Sequence, residues 1–432
     1  MFVSKNLGVN EDGNLTIAGM DTTKLAKQYT TPLYVIDEET IRNNCRLFKN
    51  SIDKFYNGKG LVFFASKALS CKEMYRIIAS ENLGIDVVSP GELHTAMSVD
   101  FPAKKIAFHG NNKTEVELKT ALEYGVGYIV VDNLEELIKL NKLAISMGKV
   151  VDIMFRIKPG IDAHTHDFIR TGQIDSKFGV ALETGEALDI IKTAITLSGI
   201  NISGIHCHIG SQIFDITPFV EAAKVMLGLI AEIKSECGIE IQNLNLGGGF
   251  GIKYMPDENP VKLSDYMEKV SIEVNKVCKQ LDIKKPFIML EPGRSIVAEA
   301  GITLYTVGSV KHIPNLRTYV AIDGSMCDNP RYALYQSKYT AEVANKATKP
   351  KDTVITLAGR CCESGDLIGE NMPLQETEEG DIIAVCATGA YTYSMASNYN
   401  RLPKPAIVMV NKGESRVIVK RETLDDVMRN DI

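Results

Sequence analysis

Nowhere along the 432 residues does an apolar run approach the ~18 residues that a membrane-spanning helix needs. The chain also lacks any block of lysine or arginine. Its 48 basic and 54 acidic residues leave a net charge of −6, so neither nucleic acid nor an anionic membrane is expected as a partner. The first residues, Met1-Phe2-Val3-Ser4-Lys5-Asn6, carry no basic region leading into an apolar core. No signal peptide is expected there, and a cytoplasmic location is the expectation. The nine cysteines include no C-x-x-C pair. Their odd number argues against a disulfide framework and for reduced, mostly buried thiols. No internal repeat, low-complexity tract or flexible linker interrupts the chain. At 45% hydrophobic and 24% charged residues, the composition is that of a globular protein and excludes wholesale disorder.

What is present, from Leu61 onward, is an alternation. Short apolar runs occur at Leu61–Ser66, Ile85–Val88, Ile106–Phe108, Tyr128–Val131, Asp152–Ile157, Ile202–Cys207, Asn243–Leu246 and Phe287–Leu290. Each is followed by a polar or glycine-bearing turn and a helix-like stretch. Capping-box spacing marks helix starts at Ser70 with Glu73, Ser89 with Glu92, Thr114 with Glu117 and Asn133 with Glu136. Pro90 and Pro218 suit first helical turns. Gly84, Gly125 and Gly148 are expected to end helices in the left-handed conformation. Met74, Ile77 and Ile78, and then Leu134, Leu137 and Ile138, recur at helical spacing and are expected to pack on a sheet. Eight such units in ~250 residues predict a (β/α)8 barrel of the TIM type rather than an open doubly wound sheet.

Past Ala300 the pattern changes. Ile302–Ile313, Thr318–Ile322, Val354–Ala358, Ile382–Ala387, Ala406–Asn411 and Arg416–Lys420 read as strands without long helices between them. They predict a mostly β C-terminal domain. Pro32–Asp37 reads as a strand ahead of the barrel that joins the C-terminal sheet, since chain termini often lie close together. The expected division is 1–40 for the N-terminal segment, 41–299 for the barrel and 300–432 for the β domain.

Barrel active sites lie at the C-terminal ends of the strands. There the sequence places Lys67, Asp86, His109, Arg156, His208, the run Gly247-Gly248-Gly249-Phe250-Gly251, and Glu291-Pro292-Gly293-Arg294. A lysine ending a buried strand is expected to be partly desolvated, which lowers its pKa and frees the amine for Schiff-base formation. Glycines after strand seven let backbone N–H groups approach a phosphate. Arg294, after strand eight, offers a planar donor fork to the same group. His206 and His208 share a strand face, but no third ligand at a useful spacing completes a metal set, so no metal is expected. His206 is read as a core histidine and His208 as a residue of the barrel mouth. His164 and His166 are read as a solvent-exposed polar pair. Cys362, beside Glu363, is either a buried structural cysteine or a thiol proton donor. A Schiff-base lysine, a phosphate cradle and an acid together point to a phosphorylated carbonyl. That is either a sugar-phosphate substrate or pyridoxal phosphate.

These segments resemble the barrel-type (fold type III) pyridoxal-phosphate decarboxylases of basic amino acids. The resemblance rests on Phe64-Ala65-Ser66-Lys67, Gly84-Ile85-Asp86-Val87-Val88-Ser89-Pro90-Gly91-Glu92, His109-Gly110-Asn111-Asn112-Lys113 and His206-Cys207-His208-Ile209-Gly210-Ser211-Gln212. It continues through the glycine run, Glu291–Arg294, Asn329-Pro330-Arg331-Tyr332-Ala333-Leu334-Tyr335, Cys362-Glu363-Ser364-Gly365-Asp366 and Gly389-Ala390-Tyr391. It implies that Lys67 binds the cofactor covalently and that His208 stacks on the pyridine ring. It further implies that Ser211, Gly248, Gly249, Gly293 and Arg294, helped by Tyr391, bind the phosphate. Glu291 would pair with the ring nitrogen, with Asp86 and Arg156 in support. Arg294, Arg331, Tyr335, Glu363 and Tyr391 would hold the amino-acid substrate, and Cys362 would return a proton after CO2 leaves. The implied reaction is decarboxylation of meso-2,6-diaminopimelate to L-lysine, in a homodimer whose Cys362 and Glu363 reach the partner's site. Arg360 and Tyr332 depart from the prolines that the family carries nearby, which bears on loop shape rather than chemistry.

Rival readings on this scaffold are a decarboxylase of ornithine, lysine or arginine and a carboxynorspermidine decarboxylase. Arg331 would repel a lone distal amine, which favours a substrate with a distal carboxylate. A racemase would need a base on each face of the substrate carbon. A non-enzymatic carrier or dead regulator would not need Lys67, the phosphate residues and the β domain together.

Overall fold

A computed structural model describes residues 2–161 and 175–432. The chain divides into two compact units. One comprises Met1–Asn44, Ile252–Asn259 and Arg294–Ile432, and the other Cys45–Gly251 and Pro260–Gly293.

The second unit is a closed parallel barrel. Its eight strands are Gly60–Ala65, Gly84–Val87, Ile106–Phe108, Tyr128–Val131, Val151–Lys158, Ile200–His206, Asn243–Asn245 and Phe287–Leu290. Each pairs with the next, and the eighth returns to the first through Ile288 opposite Gly60 and Leu290 opposite Val62. Alternate residues of these strands point inward. Phe63, Ala107, Val130, Met154 and Met289 form one buried interior cluster, so the barrel is packed with side chains rather than open.

Most helix signals act as their chemistry requires. Thr114 and Glu117 form a complete capping box. Ser89 and Asn133 cap their helices by accepting the N–H groups of Glu92 and Glu136. Ser70 does not cap: the third helix begins after Cys71 with no side-chain cap. Gly125 and Gly148 take the left-handed conformation, at φ 80° and 63°. Gly84 does not, because the left-handed residue there is Asn82 at φ 65°. Gly84 instead opens the second strand, where a Cβ would lie 2.6 Å from the Phe63 ring. Met74, Ile77, Ile78 and Leu137 are buried. Leu134 is 45% exposed, because it opens its helix on the solvent side, and Leu140 and Ala144 carry the buried stripe instead.

The first unit is mostly β. Its main sheet runs Leu367–Leu374, Thr353–Ala358, Arg317–Ile322, Gly301–Ile313, Leu33–Asp37, Ala406–Asn411 and Glu414–Val419. Leu33–Asp37 lies between Gly301–Ile313 and Ala406–Asn411, which places the N-terminal strand in the C-terminal sheet as expected. The long strand Gly301–Ile313 also pairs with Ile382–Cys386, which carries Ala341–Val343. Leu15, Ile17, Leu25, Val35, Leu304 and Val408 share one core there. Six of the nine cysteines are buried, and Cys362 is exposed. Among the described residues no helix is long and apolar enough to cross a membrane.

Candidate active site

Glu291 directly follows the eighth barrel strand and is 8% exposed. Its Oε1 accepts from His109 Nε2 at 2.8 Å and from Asn245 Nδ2 at 2.7 Å, and its Oε2 accepts from His206 Nε2 at 3.0 Å. Burial alone would raise this carboxyl's pKa. The two imidazoles and their hydrogen bonds overcome that and hold it well below the carboxylate range. Burial also lowers His109, and pushes His206 down to about 4. Both rings are therefore neutral donors to an ionised acid. A carboxylate has about four acceptor directions, so three donors leave room for one more.

His109 follows the third strand, and Asn245 ends the seventh. Asn245 was not recognised in the sequence. It ends a strand of only three residues, too short for the sequence to show which way it faces. Its Oδ1 also accepts from Gly247 N at 2.9 Å, which ties the acid to the glycine run. His206 is buried, as expected, but only half satisfied: its Nε2 serves the acid, while its Nδ1 is buried with no hydrogen-bond partner among the described residues. His109, His206 and Glu291 offer ligand atoms within 4.8 Å of one another. Sequence spacing alone did not reveal Glu291 as the third member, and all three are already joined by hydrogen bonds.

Lys67 lies in a short 3-10 turn, Ser66–Ala68, just after the first strand. Its side chain is exposed, contrary to the expectation of partial desolvation, because the turn carries it past the strand's buried end. Its positive charge is felt by Asp86, Glu92 and His208. Asp86 is buried and accepts the Ser66 N–H at 3.1 Å, so it fixes the turn that presents the lysine. Burial, and then the charge of Glu291, raise the Asp86 pKa well above its usual value. The two acids of one mouth are thus pushed in opposite directions, as happens where acid and base roles are divided. Arg156 is half-buried, with its guanidinium 4.3 Å from the centre of the Phe178 ring.

His208 is half-buried after the sixth strand. Its Nδ1 accepts from Gly248 N at 3.2 Å, which puts its proton on Nε2. Burial, and then the charge of Lys67, hold it well below its usual pKa and neutral. The glycine run packs too closely for side chains. A Cβ on Gly248 would sit 2.1 Å from the Glu291 carbonyl oxygen, and one on Gly249 would sit 2.5 Å from the Gly210 carbonyl oxygen. Ile213 N bonds Gly249 O at 3.0 Å, so the segment carrying Ser211 lies against the run. Phe250 anchors it, with ring centres 5.2 Å from Phe48 and 4.7 Å from Tyr266.

The β unit gathers its own set. Arg294 is 6% exposed and donates to the Tyr254 hydroxyl at 2.7 Å. Its guanidinium lies 4.9 Å from the Tyr391 ring centre. Arg331 is 8% exposed and lies 5.2 Å from the Tyr335 ring centre and 5.5 Å from that of Tyr391. Arginine faces such rings through cation–π attraction. Tyr254 was missed by the sequence reading, because its segment, Ile252–Asn259, reaches Arg294 only through the fold. Cys362 and Glu363 are exposed on one loop. The Cys362 N–H is held by Asn400 Oδ1 at 2.7 Å and the Cys361 N–H by Asp366 Oδ2 at 2.6 Å. His164 and His166 lie outside the described residues.

These groups suit pyridoxal phosphate. The ionised Glu291 keeps one acceptor direction for a protonated ring nitrogen. Lys67 offers an accessible amine. Gly248 and Gly249 are packed against the carbonyls of Glu291 and Gly210, so the run offers backbone N–H groups without side chains, the chemistry that suits a phosphate.

The family model for the pyridoxal binding domain of pyridoxal-dependent decarboxylases matches residues 38–298. A barrel with this mouth, matched over that span, belongs to the pyridoxal-dependent decarboxylases. Within them, it is similar over its whole length to diaminopimelate decarboxylases. It is 48% identical over 422 residues to that of Bacillus methanolicus, covering 98% of both chains. It is 46% identical over 434 residues to that of Bacillus subtilis, covering 100% of this chain and 98% of the relative. The solved diaminopimelate decarboxylase of M. jannaschii in complex with L-lysine superposes with a TM-score of 0.93 at 37% identity, covering 100% of this chain and 99% of that one. The chain therefore belongs to the diaminopimelate decarboxylase family.

Proposed function

We propose that this chain decarboxylates meso-2,6-diaminopimelate to L-lysine and CO2 with pyridoxal phosphate, the last step of lysine biosynthesis. The observation that carries this reading is the Glu291 carboxylate, kept ionised by three donors in a barrel mouth that also presents Lys67. Full-length relatives named for the same reaction support it.

When bound, the cofactor supplies an electron sink for the pair left behind by CO2. Lys67 supplies the amine that holds the cofactor, and Asp86 orients the turn carrying it. Glu291 would accept a protonated ring nitrogen and hold that proton, and the neutral His208 would pack against the ring. Ser211, Gly248, Gly249, Gly293 and Arg294, with Tyr391, bind the phosphate. Arg331, Tyr335, Glu363, Tyr391 and Arg294 hold the distal zwitterion of the substrate, for which an arginine fork and an acid are the matching pair. Cys362 would supply a proton from its Sγ–H to the substrate carbon after CO2 leaves. Cys362 and Glu363 would act in the partner's site, which makes the working form a homodimer, and we place it in the cytoplasm.

Rival substrates on this scaffold differ at the distal end. Ornithine and lysine carry an amine there without a carboxylate and would leave the Arg331 charge unpaired. The test is CO2 release and lysine formation from meso-diaminopimelate with added pyridoxal phosphate, run beside L-ornithine, L-lysine and carboxynorspermidine. Turnover of diaminopimelate alone is expected. Faster turnover of ornithine or lysine would overturn the specificity reading.

A further inference from the structure

Lys113 is 3% exposed, an unusual position for an ammonium group, and no step above uses it. It closes the loop that follows the third barrel strand, His109-Gly110-Asn111-Asn112-Lys113. Its Nζ donates to the carbonyl of Gly110 at 2.7 Å and to that of Val130, in the fourth strand, at 2.9 Å. Its third partner is Glu136 at 2.9 Å, and both side chains are sealed from solvent. Glu136 lies in the first turn of the helix after the fourth strand, Leu134–Ser146, where Asn133 caps its N–H at 2.9 Å.

At the other end of the same loop sits His109. Its backbone N–H is bonded to Val87 O at 2.8 Å, and its ring is set 2.8 Å from Glu291. Between the two ends, Gly110 turns the chain at φ 127°, a conformation that L side chains rarely adopt. A loop with such a turn needs a brace if the imidazole is to hold its place. The ammonium clasps the loop's own turn, the neighbouring strand and the helix beyond that strand at once.

We propose that the buried Lys113–Glu136 pair is the positioning device that sets His109 against Glu291, and thereby fixes the acid that receives the cofactor's ring nitrogen. This rests on the reading of Glu291 given above. Neither side chain is bonded to Glu291 among the described residues, so the contact through which the pair reaches the acid is the histidine, whose ring also feels the ammonium charge. A pair kept merely for stability would have no reason to depend on His109. Buried pairs are in any case weak stabilisers next to apolar side chains of similar volume.

The test is a double-mutant cycle read in cofactor affinity, by absorbance titration of stripped enzyme with pyridoxal phosphate. The variants are Lys113→Met with Glu136→Gln, which removes both charges together, and His109→Gln. Each is expected to weaken the cofactor by about tenfold or more, the range seen when groups behind a ligand are removed. The combination of all three changes is expected to bind no more weakly than the worse of the two, since both act through one contact. Losses that multiply, or wild-type affinity in the Lys113→Met/Glu136→Gln protein, would overturn the proposal. Should that protein fail to fold, Glu136→Gln alone keeps the ammonium and its carbonyl contacts and carries the same cycle with a smaller loss. Glu291→Gln is measured alongside. Undiminished cofactor binding there would instead overturn the reading of Glu291 itself, whatever the Lys113 variants do.

Discussion

His206 donates its Nε2–H to Glu291 Oε2 at 3.0 Å, with the two side chains 1% and 7% exposed. Their ionisation is divided: the imidazole is pushed down to about 4 and the carboxyl is held low as well. The unfolded chain, with an ordinary histidine pKa near 6.5, then binds a proton between pH 6.5 and about 4 that the folded chain refuses. Stability therefore falls as pH drops through that window, by up to about 3 kcal/mol. Glu291 adds a further loss only below the ordinary carboxylate range. Urea midpoints measured from pH 7 to 4.5 check this. His206→Gln, which cannot titrate, is expected to flatten the slope. An unchanged slope would mean that other groups set the acid limit.

The glycine cradle yields a sharper expectation. Gly248 has no positive φ that demands glycine; space alone demands it, since a Cβ would meet the carbonyl oxygen of Glu291 at 2.1 Å. Gly248→Ala must shift either the run or the acid's backbone. We expect a stability loss of about 1–3 kcal/mol and a cofactor affinity lowered by about tenfold or more. Gly185→Ala is the control. It has φ +80° and nothing within 4 Å, so it should cost about 1 kcal/mol from backbone strain and leave cofactor binding alone. Denaturation and cofactor titration on the same two proteins separate the effects.

How far these residues were readable depends on how local their signal is. Lys67 and Glu291 follow short apolar strands and Asp86 lies next to the end of one, and strand ends in a barrel converge by topology, so order along the chain sufficed. Asn245 lies on a strand of only three residues, too short for alternation to show which way it faces. Tyr254 sits in an eight-residue segment, Ile252–Asn259, that leaves the barrel for the other unit, and no periodicity announces that. Gly84 was misread because glycine serves both helix ends and crowded strand starts, and only the Phe63 ring decides between them. Leu134 fits a helical stripe, yet the burial of Leu140 and Ala144 places that stripe later in the helix. The strands Ala341–Val343 and Leu367–Leu374 went unseen, the first because it has three residues and the second because polar residues and Pro373 interrupt its apolar pattern.

Tyr254 leads to a third expectation. Its hydroxyl accepts from Arg294 at 2.7 Å, and the guanidinium is 6% exposed. Tyr254→Phe keeps the ring and removes one acceptor from a buried guanidinium, at a cost of about 1–3 kcal/mol. If Arg294 binds phosphate as proposed, pyridoxal phosphate affinity should fall by about five- to thirtyfold, while the affinity for free pyridoxal, which lacks the phosphate, should not change. An equal loss for both compounds would remove Arg294 from the phosphate site.

Cys362 supplies the last expectation. The thiol is exposed, and its backbone N–H is fixed by Asn400 at 2.7 Å, an arrangement suited to a loop that presents a side chain outward. If that loop completes the partner's site, Lys67 and Cys362 serve different sites from the same chain. Lys67→Ala and Cys362→Ala proteins should each be nearly inactive alone. Mixed in equal amounts and allowed to exchange subunits, about half of the dimers become mixed, each with one intact site, which restores about a quarter of wild-type turnover. The assay is CO2 release before and after exchange, with subunit mixing followed independently by a tag on one variant. Mixing without recovered activity would place Lys67 and Cys362 in the same chain's site, and the reason to require a dimer would go with it.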